Sequence, residues 1–272
     1  MIHSKHVLLV LLIVCGCGSN KPEQTTSRTI ITTLPVLGLI INPVAANFEV
    51  QVLLKEGQSP HGFQVSPSQA QLLNDSPLLV YAHSDLDGWA ASLAAHDTLP
   101  LWNGDRDLDV HYWTDPVAVL DALRTLTDSL CLLQKDTCPV FRRKATAFSV
   151  RIDSVSILIA KRLEAVQNEC VVVAHPFMTQ FLDRFKIRSV GPLQPLPGHD
   201  ASPRTLSMMM DQATQLGCQT LLVQTAVDNR AMYAVARDLG IKVVEVDPLG
   251  THQLSYESYL ESLVAALLPG SE

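Results

Sequence analysis

From Thr29 onward the chain alternates short apolar runs with stretches whose apolar residues recur every three or four positions. This mixture of periods is the pattern of βαβ units, since period 2 suits a pleated strand and period 3.6 a helix lying on a sheet. The runs at 29–34, 48–54, 78–82 and 99–102 read as strands, as do 171–174, 189–192, 220–224 and 242–246. Helical patterns separate them. In the first half they are "PVLGLIINPVAA", the segment Pro67 to Asn74, "GWAASLAAH" and a helix capped near Thr114 or Asp115. In the second half they are the stretch around "MTQFLDRF", 203–216, 230–239 and a terminal helix near 256–268. Ser66 followed by Pro67 is a strong helix start: the hydroxyl accepts an orphan N–H, and the proline occupies a position that needs no donor. Between the halves, Phe141, Ala145, Phe148, Ile152, Val155, Ile159, Leu163 and Val166 recur at spacings of three and four. They give one apolar face to a continuous helix over 139–167, a rod of about 40 Å at 1.5 Å per residue. The expected fold is α/β: two βα-type lobes with parallel sheets, 29–138 and 168–272, joined by one long helix.

Residues 1–16 read as an export signal, with Lys5 ahead of an apolar run, Val7 to Val14, too short to span a bilayer. The following "VCGC" resembles the lipobox of bacterial lipoproteins, which implies lipidation of Cys17 and a membrane anchor on the non-cytoplasmic side. An ordinary secretory signal with an incidental cysteine is the alternative. Residues 17–28 are polar and aperiodic, a flexible tether. The net charge of −7 and the lack of a basic block exclude nucleic acid as a partner class.

Beyond the lipid site stand Cys131, Cys138, Cys170 and Cys218. An even count in an exported chain favours disulfides. Cys131 and Cys138 flank the turn "LLQKDT", while Cys170 and Cys218 each open an apolar strand. If those strands are neighbours, their first residues come within bridging distance, which favours 131–138 with 170–218. Four unpaired thiols fit the same spacing.

In open parallel sheets ligands bind beyond the carboxyl ends of the strands. His175 directly follows "VVVA", Asp247 directly follows "VVEV", His61 follows 48–54 through a short loop, and His111 follows 99–102 through a longer one. Two come from each half, so lobes facing across a cleft would bring all four together. Three imidazoles and a carboxylate match the tetrahedral N/O coordination of zinc. Each has a plainer reading: a His at a strand end is commonly a hydrogen-bonded loop residue, and Asp before Pro commonly forms a turn. His83 follows 78–82 just as closely, so position alone does not select these four.

The stretches "VLLKEGQSPHGFQVSPSQAQLL", "HYWTDP", "VVVAHPFMTQFLDRF" and "VVEVDPLG", in this order, resemble the zinc/manganese ABC transporter substrate-binding lipoproteins, the cluster A-I metal receptors. The resemblance runs from Thr29 to Leu268. It implies metal ligation by His61, His111, His175 and Asp247 in the interlobe cleft, and leaves His83 with a structural or supporting part. It also implies a monomeric receptor, not an enzyme, that hands its metal to the permease and ATPase subunits of an importer. Family members that favour manganese commonly carry a carboxylate at the third position, so His175 shifts the expectation toward Zn²⁺, with Mn²⁺ as the alternative.

Three features depart from the family pattern. The His- and acid-rich loop common before the second ligand is short here, Ser59 replaces the usual acid before Pro-His, and the Pro-rich loop reads "HDASP", with His199 at its start. Nearby acids, Asp115 among them, are expected to orient the ligands. Four protein ligands leave no position for a reactive water, and no HExxH, GxSxG or phosphate-cradling motif occurs, which weighs against a zinc hydrolase. A receptor for a larger chelate, a siderophore or corrinoid, can share the two-lobe plan.

Overall fold

The computed structural model describes residues 28–60, 63–102, 110–194 and 201–268. Cys17, His61 and His199 lie outside the described residues, as do the expected signal and most of the expected tether. The first lobe contains β1 (Thr29–Thr32), α1 (Pro35–Ile41), β2 (Glu49–Val52), α2 (Pro67–Asp75), β3 (Leu78–Tyr81) and β4 (Asp97–Pro100). Two helices follow, α3 (Pro116–Leu133) and the long α4 (Cys138–Leu163). The second lobe contains β5 (Cys170–Val173), α5 (Thr179–Arg184), β6 (Arg188–Val190), α6 (Pro203–Leu216), β7 (Thr220–Gln224), α7 (Arg230–Leu239), β8 (Lys242–Val246) and α8 (Tyr256–Ala265).

Each lobe holds a four-stranded parallel sheet, in the orders β2-β1-β3-β4 and β6-β5-β7-β8. The same order recurs, with the first strand of each lobe inside and the second at an edge. In both lobes the chain therefore reverses direction across the sheet beside its first strand, the kind of place where open sheets bind ligands.

Several elements end where local chemistry dictates. α1 stops at Ile41, short of the expected 46, because Pro43 cannot continue the helix. Ser66 caps α2 as expected: its hydroxyl accepts the Gln69 N–H, and the Gln69 side chain reaches back to the Ser66 N–H. "GWAASLAAH" makes only a 3₁₀ turn over Gly88–Leu93, and the strand expected at 99–102 runs from Asp97 to Pro100. β6 ends at Val190 because Gly191 takes φ +135 there; a Cβ at this point would lie 2.4 Å from the Val173 carbonyl oxygen.

The apolar face of α4 is buried at all eight expected positions, from Phe141 to Val166, the last on a 3₁₀ turn that continues the helix. This face lies within a core to which both sheets contribute: Ile30 and Val80 from the first, Val171, Val173, Leu222 and Val246 from the second, with α1, α3 and α8 between them. The outward faces of the sheets have separate cores, one around Ile31 and Leu79, the other around Val172 and Leu221. Each fully buried aliphatic or aromatic side chain contributes roughly 1.5–3 kcal/mol, so separating the lobes widely would forfeit a large part of the stability. Arg151 and Arg162 on α4 pair with Glu257 and Glu261 on α8. Disulfides join Cys131 to Cys138, closing the α3–α4 turn, and Cys170 to Cys218, stapling the starts of neighbouring β5 and β7.

Candidate metal centre

His175 stands one residue beyond Ala174, whose N–H donates to the Leu222 carbonyl and extends the β5 ladder. The tight passage at Gly191 lets the following loop cross the end of β5: Leu193 and Gln194 donate N–H groups to the carbonyls of Val173 and Ala174, at 3.1 and 2.7 Å. The Gln194 carbonyl then lies 3.3 Å from Nδ1 of His175. A carbonyl only accepts, so Nδ1 carries the hydrogen, and in the neutral ring Nε2 carries the lone pair.

His111 precedes a 3₁₀ turn, Tyr112–Thr114, whose last residue returns both its N–H and its hydroxyl to the His111 carbonyl. His111 is 3% exposed, and its ring meets the His175 ring edge to face, with centres 5.2 Å apart and planes at 89°. Two imidazoles from opposite lobes are thus brought together in a buried setting.

Asp247 follows β8 in the turn Asp-Pro-Leu-Gly, and its Oδ1 accepts the Leu249 N–H at 2.9 Å. Gly250 takes φ +65, a left-handed conformation that favours glycine, against the ring of Tyr259. Burial raises the Asp247 carboxyl above its ordinary pKa; the N–H groups of Leu249 and Gly250 pull it back, and the nearby charge of Glu56 pushes it up again. Asp247, Pro35, Glu56, Gln224 and Gly250 line a narrow crevice of about 10 Å³ between the lobes. Glu56 also bridges the lobes, 2.5 Å from the His252 ring nitrogen.

Of the described residues nearest His61 in sequence, Pro60 is buried and the Phe63 ring packs 5.4 Å from Trp89. Among the described residues no three His, Cys, Asp or Glu side chains form a metal-binding group, so Asp247 is not gathered with His111 and His175 into one. His83 sits in a turn: its Nδ1 accepts the Asp85 N–H, and its own N–H donates to Asp87. Asp115 bears on the ligand-carrying segments through Arg184. Its carboxylate caps α3 through the Val117 N–H and grips Arg184 of α5 through both oxygens, which are then occupied away from the imidazoles.

Sequence reasoning assigned no part to Trp113, Tyr256 or Tyr259, all fully buried. Trp113 donates its indole N–H to the Pro248 carbonyl at 2.7 Å, and Tyr259 donates its hydroxyl to the same oxygen at 2.9 Å. The Tyr256 hydroxyl donates to the Trp113 carbonyl at 2.8 Å. The available signal was the fixed His-x-Trp spacing of "HYW". A larger groove of about 540 Å³ between α3 and α4 is lined by residues such as Arg124, Asp128 and Arg142 and contains neither histidine.

Comparison with known proteins places the fold and the family. The manganese-binding lipoprotein MntA of Halalkalibacterium halodurans is 22% identical over 279 residues, covering 94% of this chain and 93% of that protein. The zinc-binding lipoprotein AdcA of Streptococcus pneumoniae is 18% identical over 268 residues, 89% of this chain but only 54% of AdcA. Among solved structures, the laminin-binding protein Lmb of Streptococcus agalactiae superposes with a TM-score of 0.77 at 22% identity, over 88% of this chain and 99% of that one. A ZnuA crystal structure matches with a TM-score of 0.77 at 18% identity, over 87% and 96%. At these identities the structural matches show the common fold. The family model ZnuA, zinc-uptake complex component A, periplasmic, matches residues 30–268, and the chain belongs to that family.

Proposed function

We propose that this protein is an extracytoplasmic receptor that captures one divalent transition metal, Zn²⁺ before Mn²⁺, and delivers it to an ABC importer. His61, His111, His175 and Asp247 are the ligands in this reading, and Cys17 carries the lipid that holds a monomeric body at the membrane. One observation carries it: His111 and His175 meet at right angles with ring centres 5.2 Å apart. Two imidazoles bound to a tetrahedral zinc through nitrogens at about 2.0–2.1 Å place their ring centres roughly 5 Å apart. The Gln194 carbonyl behind His175 supports the same reading, because it orients a lone pair away from the loop. A fourfold protein ligand set makes this a carrier and not a catalyst, since it reserves no coordination position for substrate or water.

The similarity to MntA over nearly the whole chain favours manganese as the second reading. A large chelate fits less well, because the crevice beside Asp247 is only about 10 Å³ and the lobes share one core. That shared core also favours small tilts of the lobes over a wide hinge as the signal to the permease.

Elemental analysis followed by zinc and manganese titration of the purified chain, with His175→Ala as control, tests the proposal. One tightly held zinc per chain, lost in the variant, is expected. Absence of stoichiometric metal, or binding indifferent to His175, would overturn the ligand assignment.

A further inference from the structure

We infer that Trp113 is a positioning residue that fixes how far Asp247 reaches across the cleft toward the histidines; this rests on the metal-receptor reading above. Its ring belongs to the first lobe and stands edge-on to His111, with centres 5.2 Å apart. Its N–H ends in the second lobe, on the carbonyl of Pro248, the residue after Asp247. One rigid side chain thus touches a residue from each side of the proposed metal.

The rest of the contact makes that link stiff. Proline restricts the backbone that carries the accepting carbonyl. Tyr259 donates to the same oxygen, and Tyr256, one turn earlier on α8, holds the Trp113 carbonyl. Asp247 in turn is tied to its own turn by the Leu249 N–H, so carboxylate and turn move together. The turn also passes close to Tyr259, where a Cβ on Gly250 would lie 3.1 Å from the ring and glycine leaves the room. Metal coordination tolerates errors of only a few tenths of an ångström in ligand distance, so a residue that spaces two ligands acts on affinity.

Buried indoles commonly find an acceptor for reasons of packing alone. Packing alone would therefore cost stability without any coupling to Asp247. A double-mutant cycle on the full chain separates the two. Zinc affinity is measured by chelator competition for the wild type, Trp113→Phe, Asp247→Asn and the pair, alongside metal-free melting temperatures. Trp113→Phe keeps a ring and removes the donor; it is expected to weaken zinc about 3- to 10-fold, the worth of one hydrogen bond. In the Asp247→Asn background the same change is expected to alter affinity by less than about 2-fold, because the carboxylate it positions is gone. Unchanged affinity in Trp113→Phe, or an equal loss in both backgrounds, would overturn the inference. If Trp113→Phe does not fold, Tyr259→Phe removes the other donor to Pro248 and must show the same coupling; additivity there overturns it equally. A wild type that binds neither zinc nor manganese would remove the receptor reading and this inference together, a result distinct from metal binding that ignores Trp113.

Discussion

Asp115 and Arg184 face each other across the lobes, with Nε and Nη2 of the guanidinium donating to the two carboxylate oxygens at 2.9 and 2.7 Å. The pair ties the start of α3, four residues after His111, to the end of α5, nine residues after His175. Two proposed ligands are thus braced by one ion pair that neither ligand belongs to. The Arg184 side chain is 42% exposed, so water screens part of the attraction; the Asp115 side chain is only 10% exposed.

Removing either partner should be unequal in cost. Arg184→Met is expected to destabilise by about 1 kcal/mol, the upper range for a screened pair. Asp115→Ala should cost about 1 kcal/mol more, because it also removes the α3 cap on the Val117 N–H. Urea denaturation of the metal-free forms checks the ordering, and equal losses would show that the cap contributes nothing.

The two disulfides should differ in worth. Cys170–Cys218 closes a separation of 48 residues and Cys131–Cys138 one of only 7. Chain entropy then assigns about 4 kcal/mol to the first and about 2 kcal/mol to the second. Paired Cys→Ala variants, compared by denaturant midpoint at constant slope, should follow that order.

Asp87 should leave a signature in the acid range. It is fully buried, and burial is the main cause that raises its carboxyl above the usual value, against the opposing N–H groups of Ala82 and His83 and the Thr33 hydroxyl. A carboxyl with a raised folded pKa contributes stability that is present below its unfolded pKa, near 3.9, and lost as pH rises through the folded value. Stability of the wild type relative to Asp87→Asn should therefore decline from pH 3 upward through that window. The variant also presents an amide N–H₂ to a backbone donor, at a cost of about 1–3 kcal/mol. A pH series of urea midpoints reads both effects; a constant difference between the two proteins would contradict the shift.

Glu56 should help the cation without binding it. Its charge is felt at Asp247, and it is half-exposed at the cleft edge beside His252. Glu56→Gln is expected to weaken zinc by about 2- to 5-fold at 0.01 M salt, where the Debye length is near 30 Å, and by much less at 1 M, where it is near 3 Å. A loss that ignores salt would make Glu56 a direct ligand.

Local chemistry determined much of this protein. The two periods of apolar residues marked the strands and α4, and all eight positions on its apolar face proved buried, because a helix this long has only one way to hide its apolar side. Ser66 and Pro67 announced α2 through groups within four residues of each other. The strand-end positions of His175 and Asp247 were legible too, since parallel sheets present their carboxyl ends to one side. Local pattern failed where long-range contacts decide: "GWAASLAAH" has helical composition, yet packs as a 3₁₀ turn between β3 and β4. Only the tertiary structure placed the two imidazole rings at right angles, turned Asp115 toward Arg184, and brought the Trp113 indole to Pro248, 135 residues away in sequence. Those relationships depend on distances between side chains from different lobes, which a shared core sets and no spacing along one strand or helix encodes.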